Sequence, residues 1–191
     1  MKKLYSVIDK SIKKHKLYVL RDVLIFAIII LSVHFSYRYW ANKTRYWPIT
    51  EQMNMSHEVM SQIVYDQSVW FIIRVLHIPI TTYDEGRMIY FENNGFLGVN
   101  HGCSGLKPIL QFVLLMLIFP GPWKHKAWFI PMGIFIVHLT NLFRITGLAV
   151  VTITIPQYWD FAHDNVFRPF FYVVIFFLWV LWVERFRPRL S

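Results

Sequence analysis

Four long apolar runs divide this sequence, and they constrain its fold more than any other feature. They lie at residues 23–40, 105–119, 127–148 and 165–184. About 20 helical residues cover the hydrocarbon core of a bilayer, so runs of this kind are typical of transmembrane helices. Because backbone groups in lipid must be hydrogen-bonded within their own segment, we predict an all-α integral membrane bundle of about four helices.

The composition favours the same class of protein. The chain is 55% hydrophobic and 16% charged, whereas soluble domains carry roughly 25% charged residues. A net charge of +9 in a soluble chain would suggest nucleic acid as a partner. Here the basic residues cluster beside apolar runs, so we predict membrane lipids and no nucleic acid. The run 23–40 ends in aromatic residues instead of a small-residue cleavage site, and we expect it to stay as an anchor.

The distribution of positive charge predicts the orientation of the chain. Basic residues crowd the segment 1–22, the connector that holds Lys124 and Lys126, and the tail 185–191. Such segments are retained in the cytoplasm, so both termini are predicted to be cytoplasmic in a single membrane domain, 1–191. The segment 41–100 and the starts of the second and fourth spans then lie outside the cytoplasm.

The segment 41–100 is predicted to form a small extracytoplasmic insertion. Apolar residues recur at helical spacing from Val59 to Leu76, and the period then becomes that of strands. Three β-prone runs, 78–83, 88–91 and 96–99, are separated by two turn sequences, of which Asn93-Asn94-Gly95 is a good hairpin turn. We therefore predict a helix followed by a β-hairpin or meander, with an irregular loop as the alternative.

The only cysteine follows this insertion and comes directly before the second apolar run. Cys103 lies in the sequence Asn100-His101-Gly102-Cys103-Ser104-Gly105. A thiol at the start of a helix is close to unpaired backbone N–H groups, which favour the thiolate. We interpret Cys103 as a nucleophile, with a buried apolar filler as the alternative for a cysteine considered alone.

The predicted topology brings two further polar side chains to the same depth and side. Arg144 lies toward the outer end of the third run, and His163 precedes the fourth. An arginine inside an apolar helix costs roughly 2.5–3.5 kcal/mol on insertion scales, so it usually faces a partner or a water-filled cavity. Asn141, one turn earlier, is expected to orient the guanidinium. Snorkelling, or an ion pair with Asp160 or Asp164, is the alternative.

Two neighbours of the thiol are candidates for supporting roles. Ser104 is interpreted as a cap for backbone N–H groups, and His101 is an alternative to His163 as the base. The histidines show no metal-ligand spacing, His57 among them, and no Gly-rich phosphate loop is present. We therefore predict neither a metal nor a cofactor.

Three of these motifs, in this order, resemble the exosortase/archaeosortase family. They are Cys103-Ser104-Gly105 at a span start, Asn141-x-x-Arg144 in a later span, and His163 before the next. The resemblance implies a polytopic membrane cysteine transpeptidase or protease, of which this chain would be a short member. It implies Cys103 as nucleophile, Arg144 as its charged partner and His163 as acid and base.

The resemblance also implies what the protein acts on. Its substrates would be exported proteins whose C-terminal sorting signal is a short motif, a transmembrane helix and a basic tail. Cleavage would occur at the outer face of a bacterial or archaeal cytoplasmic membrane, through a thioester that an amine or water resolves. Two alternatives stay open. A non-catalytic assembly or export factor would tolerate Cys103→Ser, and an enzyme of lipid or phosphoryl chemistry would be insensitive to thiol alkylation.

Overall fold

The fold comes from a computed structural model that describes residues 21–39 and 50–186. Most of the predicted basic segments 1–22 and 185–191 lies outside these residues. The chain forms two compact units that divide between residues 43 and 44. In the first unit, helix α1 spans Arg21–Tyr39. The second unit holds every other element.

The second unit begins with the predicted insertion. Helix α2 spans Thr50–Arg74. It is followed by the strands β1 (Ile80–Tyr83), β2 (Met88–Phe91) and β3 (Phe96–Gly98). The strands pair antiparallel in chain order, with Ile80 opposite Phe91 and Met88 opposite Gly98. The predicted meander is confirmed.

The turn between β2 and β3 shows why this sequence forms a hairpin. Asn94 adopts a left-handed φ of 62°, which asparagine tolerates better than most residues. The side chain of Asn93 accepts a hydrogen bond from the Gly95 N–H at 2.9 Å and so closes the turn. The Asn93 amide also donates to the Thr152 carbonyl oxygen at 2.9 Å, which ties the hairpin to a later helix.

The helical part of the second unit follows the sheet. Its helices are α3 (Leu106–Ile118), α4 (Trp123–Thr154), α5 (Trp159–Phe161) and α6 (Arg168–Phe186). A 3₁₀ turn, Pro156–Tyr158, precedes α5, and a π-helical turn, Ala162–Phe167, joins α5 to α6. Helix α4 is continuous, although Pro131 lies inside it.

Three described helical segments are long and apolar enough to cross a bilayer. They are Arg21–Tyr39, Trp123–Thr154 and Pro156–Phe186. Helix α3 is apolar but has 13 residues, which cover only about 20 Å of a hydrocarbon core about 30 Å thick. The protein is therefore a membrane helix bundle with a small sheet, as predicted, and its second apolar run is a short helix.

The insertion packs against the second half of α4. One apolar core joins α2, the sheet, α4 and the π-helical turn, and Cys103 packs against its edge. Its fully buried members include Val64, Ile72, Ile89, Ile145 and Ala149. Beyond this core, the Nε2 atom of His138 on α4 lies 2.7 Å from the Gln67 side-chain oxygen on α2. Helix α2 is thus fixed along the same length of α4 that carries Asn141 and Arg144.

Helices α3 and α4 approach closely because of one glycine. Gly133 lies against the ring of Phe112, and a Cβ atom there would overlap that ring. Phe112 is fully buried, so the ring has no free space into which to move.

Gly133→Ala is expected to destabilise the bundle by about 1–3 kcal/mol, because it overpacks this crossing. Thermal unfolding of the purified protein in detergent micelles measures the effect. Combining Gly133→Ala with Phe112→Leu should recover part of the loss, as expected for two residues in contact. An alanine variant that unfolds at the wild-type temperature would show that the helices do not cross here.

Candidate active site

The residues that precede α3 form a tight loop, called here the Cys103 loop (residues 100–105). The Asn100 side chain accepts a hydrogen bond from the Gly102 N–H at 2.9 Å, and the Cys103 N–H donates to the Asn100 carbonyl oxygen at 2.8 Å. A 3₁₀ turn, His101–Cys103, follows from these bonds. The turn leaves the Cys103 side chain half-buried.

The helix begins where the second apolar run was predicted to begin, but Cys103 is not part of its first turn. Gly105 is the N-cap of α3, with a left-handed φ of 75°, so Cys103 lies two residues before the cap. Ser104 precedes the N-cap, and its hydroxyl oxygen accepts a hydrogen bond from the backbone N–H of Leu106 at 3.3 Å, as predicted for a group that satisfies the helix start. The thiol therefore lies on a turn in front of the helix start, and the helix itself contributes less to its surroundings than predicted.

Asn141 fixes this loop from the side of α4. Its amide donates to the Cys103 carbonyl oxygen at 2.8 Å, and the residue is fully buried. The close approach depends on Gly105, because a Cβ atom there would lie 2.8 Å from the Asn141 amide nitrogen. We expected Asn141 to orient Arg144 within the same helix. The structure corrects this expectation, because the described hydrogen bond of Asn141 goes to the loop.

Arg144 and His163 meet directly. The Nη2 atom of Arg144 lies 2.8 Å from Nε2 of His163. Arginine stays protonated and can only donate, so Nε2 accepts and the imidazole carries its proton on Nδ1. Nδ1 then donates to Asp164 at 2.7 Å, and the Trp159 ring stacks on the imidazole at 4.8 Å between centroids.

The π-helical turn explains how His163 reaches Arg144. A wider turn changes the direction of the side chains that it carries, and such turns are frequent at functional sites. The turn packs on α4 through Phe167, whose ring lies where a Cβ atom of Gly147 would be. Asp164 pairs with His163 and, at 2.9 Å, with Arg168. The alternative for Arg144 was an ion pair with Asp160 or Asp164. In the structure Arg144 contacts His163, and His163 in turn contacts Asp164.

Two buried polar atoms at this place have no hydrogen-bond partner among the described residues. They are Nε of Arg144 and Oδ1 of Asn141. Arg144 is only 7% exposed, and Asn141 is fully buried. Buried polar groups are normally satisfied, so these two atoms are exceptions among the described residues.

The side chain of His101 contacts residues of α2. Its Nε2 atom contacts the carboxylate of Glu58, which also pairs with Arg87. The hydrogen bonds from Arg87 and His101 lower the pKa of Glu58 to about 2. The structure therefore brings the backbone of the Cys103 loop, Asn141, Arg144 and His163 together, whereas the described side-chain contacts of His101 go to α2.

Residues of α2 were missed by the sequence analysis. The Nδ1 atom of His57 lies 2.8 Å from the Ser104 hydroxyl, and the Ser61 hydroxyl donates to the Asn100 carbonyl oxygen at 3.2 Å. The available signal was the set of small polar residues on the face of α2 that also carries Val64 and Ile72. Metal-ligand spacing does not single out His57, and no other pattern in the sequence connects it with Ser104.

These observations define a polytopic membrane protein in which a buried arginine contacts a partly buried histidine, beside a single cysteine. Residues 44–181 match the transmembrane exosortase family (Exosortase_EpsH), and the chain belongs to that family. The predicted family resemblance is confirmed. No curated protein and no solved structure matches the chain.

Gly105→Ala is expected to cost about 1–2 kcal/mol for the left-handed backbone. A further loss of about 1–3 kcal/mol follows because the new methyl group displaces the Asn141 amide from the Cys103 carbonyl. Unfolding in detergent micelles measures both.

The matched control is Gly102→Ala, on the other side of the thiol. Gly102 is exposed and has no positive φ, and only the Asn100 side-chain oxygen lies near its added methyl group. Its effect should stay within about 0.5 kcal/mol. Equal losses for the two variants would contradict the described contact between Gly105 and Asn141.

Proposed function

We propose that this exosortase-family protein is a membrane cysteine transpeptidase or protease that cleaves C-terminal sorting signals at the outer face of the membrane. The contact between Arg144 and His163, next to the Cys103 loop, carries the proposal. Three parts of the chain, distant in sequence, supply a thiol, a fixed positive charge and an imidazole. These are the groups that acyl transfer through sulfur requires.

In the proposed first step, Sγ of Cys103 attacks the scissile carbonyl carbon. The C–S bond forms, the C–N bond breaks, and the N-terminal part of the substrate stays on the enzyme as a thioester. A free thiol is only a few per cent ionised at neutral pH, so the positive charge of Arg144 assists by favouring the thiolate. An amine or water then attacks the thioester and releases the thiol.

Arg144 would stabilise the oxyanion that forms during the attack. Its Nε–H has no partner among the described residues and is the available donor, while Nη2 is bonded to His163. A buried donor is worth more than one in water, and the loss of one such donor typically costs about 10²–10³ in rate. The free acceptor of Asn141 would receive an N–H group of the substrate backbone.

His163 would move the proton. Its Nε2 lone pair accepts a hydrogen bond from Arg144. The substrate oxygen would attract the guanidinium of Arg144 and so break its hydrogen bond to His163. Nε2 of His163 would then accept the proton of the Cys103 thiol. The carboxylate of Asp164 on Nδ1 stabilises the imidazolium that results. The imidazolium then protonates the leaving amine, and the neutral imidazole activates the second nucleophile.

The substrate would be an exported protein with a short motif, a transmembrane helix and a basic tail at its C-terminus. Its helix would lie in the bilayer beside the bundle, with the cleavage motif at the depth of the Cys103 loop. In the proposed topology α3 crosses the membrane together with α1, α4 and α6, so that both termini are cytoplasmic and this loop lies at the outer face.

Cys103→Ala and Cys103→Ser are both expected to abolish maturation of such proteins in cells, because neither side chain supplies a thiolate. Mass spectrometry of the substrate C-termini gives the readout, and the amount of variant in the membrane fraction is the control. Normal maturation with serine would instead favour a non-catalytic assembly factor.

Arg144→Lys is expected to lower the rate of maturation by about 10²–10³, because an ammonium group cannot contact His163 and an oxyanion with a planar fork. Arg168→Lys makes the same chemical change at an exposed residue that pairs with Asp164. This control should change the rate less than about threefold, since exposed ion pairs contribute little. Equal rates for the two variants would remove Arg144 from the mechanism.

A further inference from the structure

Helix α2 holds the Cys103 loop through three side chains. The Nδ1 atom of His57 is 2.8 Å from the Ser104 hydroxyl, and Glu58 contacts Nε2 of His101. One turn later on the same helix, Ser61 donates to the Asn100 carbonyl oxygen at 3.2 Å. These contacts reach the first, second and fifth residues of the loop. Helix α4 holds the loop from its other side through Asn141.

The hydroxyl of Ser104 shows which atom of His57 carries the proton. Ser104 donates its single proton to the His101 carbonyl oxygen at 2.8 Å. Its oxygen is therefore an acceptor toward its other neighbours, which are the Leu106 N–H at 3.3 Å and Nδ1 of His57. His57 must donate from Nδ1, since two acceptors facing each other would be unfavourable.

The surroundings of His57 keep its imidazole uncharged. The residue is 5% exposed, and its ring stacks on that of His101 at 5.4 Å between centroids. Burial and the neighbouring His101 ring lower the pKa of His57, whereas a hydrogen bond to the His101 backbone and the carboxylate of Glu58 raise it by less. The charged groups nearby are the carboxylate of Glu58 and, through it, Arg87. At neutral pH, His57 is therefore a neutral imidazole protonated on Nδ1.

We propose that His57 is a positioning residue for the thiol of Cys103, through its Nδ1–H bond to the Ser104 hydroxyl. The hydroxyl is adjacent to Cys103 in the chain and is itself almost fully buried, so its bonds fix the backbone that carries Sγ. Glu58 supports the same geometry by holding His101. The inference rests on the proposed function, because it assigns Cys103 as the nucleophile.

This role makes α2 part of the active-site scaffold. The side chain of His57 acts on Ser104 and is not required to contact the substrate. The role requires only a hydrogen-bond donor at the position of Nδ1, which a side-chain amide can supply. Asparagine places its nitrogen close to the position of Nδ1, whereas glutamine places it one bond further, near that of Nε2.

The experiment compares His57→Asn with His57→Gln in the full-length protein in detergent micelles. The first readout is the rate of Cys103 alkylation by iodoacetamide at neutral pH, which needs no substrate. We expect His57→Gln to slow alkylation about tenfold, the loss of roughly one hydrogen bond, and His57→Asn to stay within about twofold of wild type. Ser56→Ala, which removes an exposed hydroxyl from the same helix, should have no effect.

A second variant tests the same bond from its other end, and Ser104→Ala alone should slow alkylation about tenfold even if His57→Gln folds poorly. Ser104→Ala removes the acceptor, and adding His57→Gln to it should then slow alkylation no further. The proposal is overturned if asparagine and glutamine behave alike, or if the two losses in the double variant multiply.

The rate at which the variants process sorting signals is the second readout, and it distinguishes a failure of this inference from a failure of the proposed function. If both hold, His57→Gln lowers kcat with little change in KM, and His57→Asn restores it. If the wild-type protein matures no substrate while alkylation still follows the expected order, the proposed function fails and the positioning role of His57 stands.

Discussion

The hydrogen bond from the Asn141 amide to the Cys103 carbonyl oxygen is the contact on which the site depends. A buried polar group without a partner costs free energy, and more so where lipid excludes water. The amide and the loop carbonyl satisfy each other, and Gly105 makes this possible because it has no Cβ atom and tolerates a left-handed φ. Since Asn141 is one helical turn from Arg144, the same bond sets the depth of the thiol relative to the guanidinium.

Helix α4 continues well beyond this contact. Helix α3 is short, and its N-cap meets α4 at Asn141, about 20 Å before the end of α4 at Thr154. The remaining length of α4 carries the core that it shares with α2 and the sheet. The insertion therefore covers the side of α4 next to the site.

Much of this arrangement could be predicted from the sequence, because its signals are local. The apolar runs predicted the helices, Asn93-Asn94-Gly95 predicted the hairpin, and an arginine in an apolar helix predicted a partner, which is His163. Other features depend on packing between distant elements. His57 and Ser104 are 47 positions apart, and reasoning from neighbours on one helix gave Asn141 the wrong partner. The catalytic roles of Cys103, Arg144 and His163 stay predictions.

The most direct measurement is to trap the acyl-enzyme. Wild-type protein is mixed with a membrane reporter that carries a C-terminal sorting segment, quenched with acid, digested and analysed by mass spectrometry. The account predicts that the N-terminal fragment of the reporter is joined to Sγ of Cys103 by a bond that hydroxylamine cleaves. Cleavage of the reporter with no adduct on Cys103, or with an adduct on Ser104 instead, would contradict it.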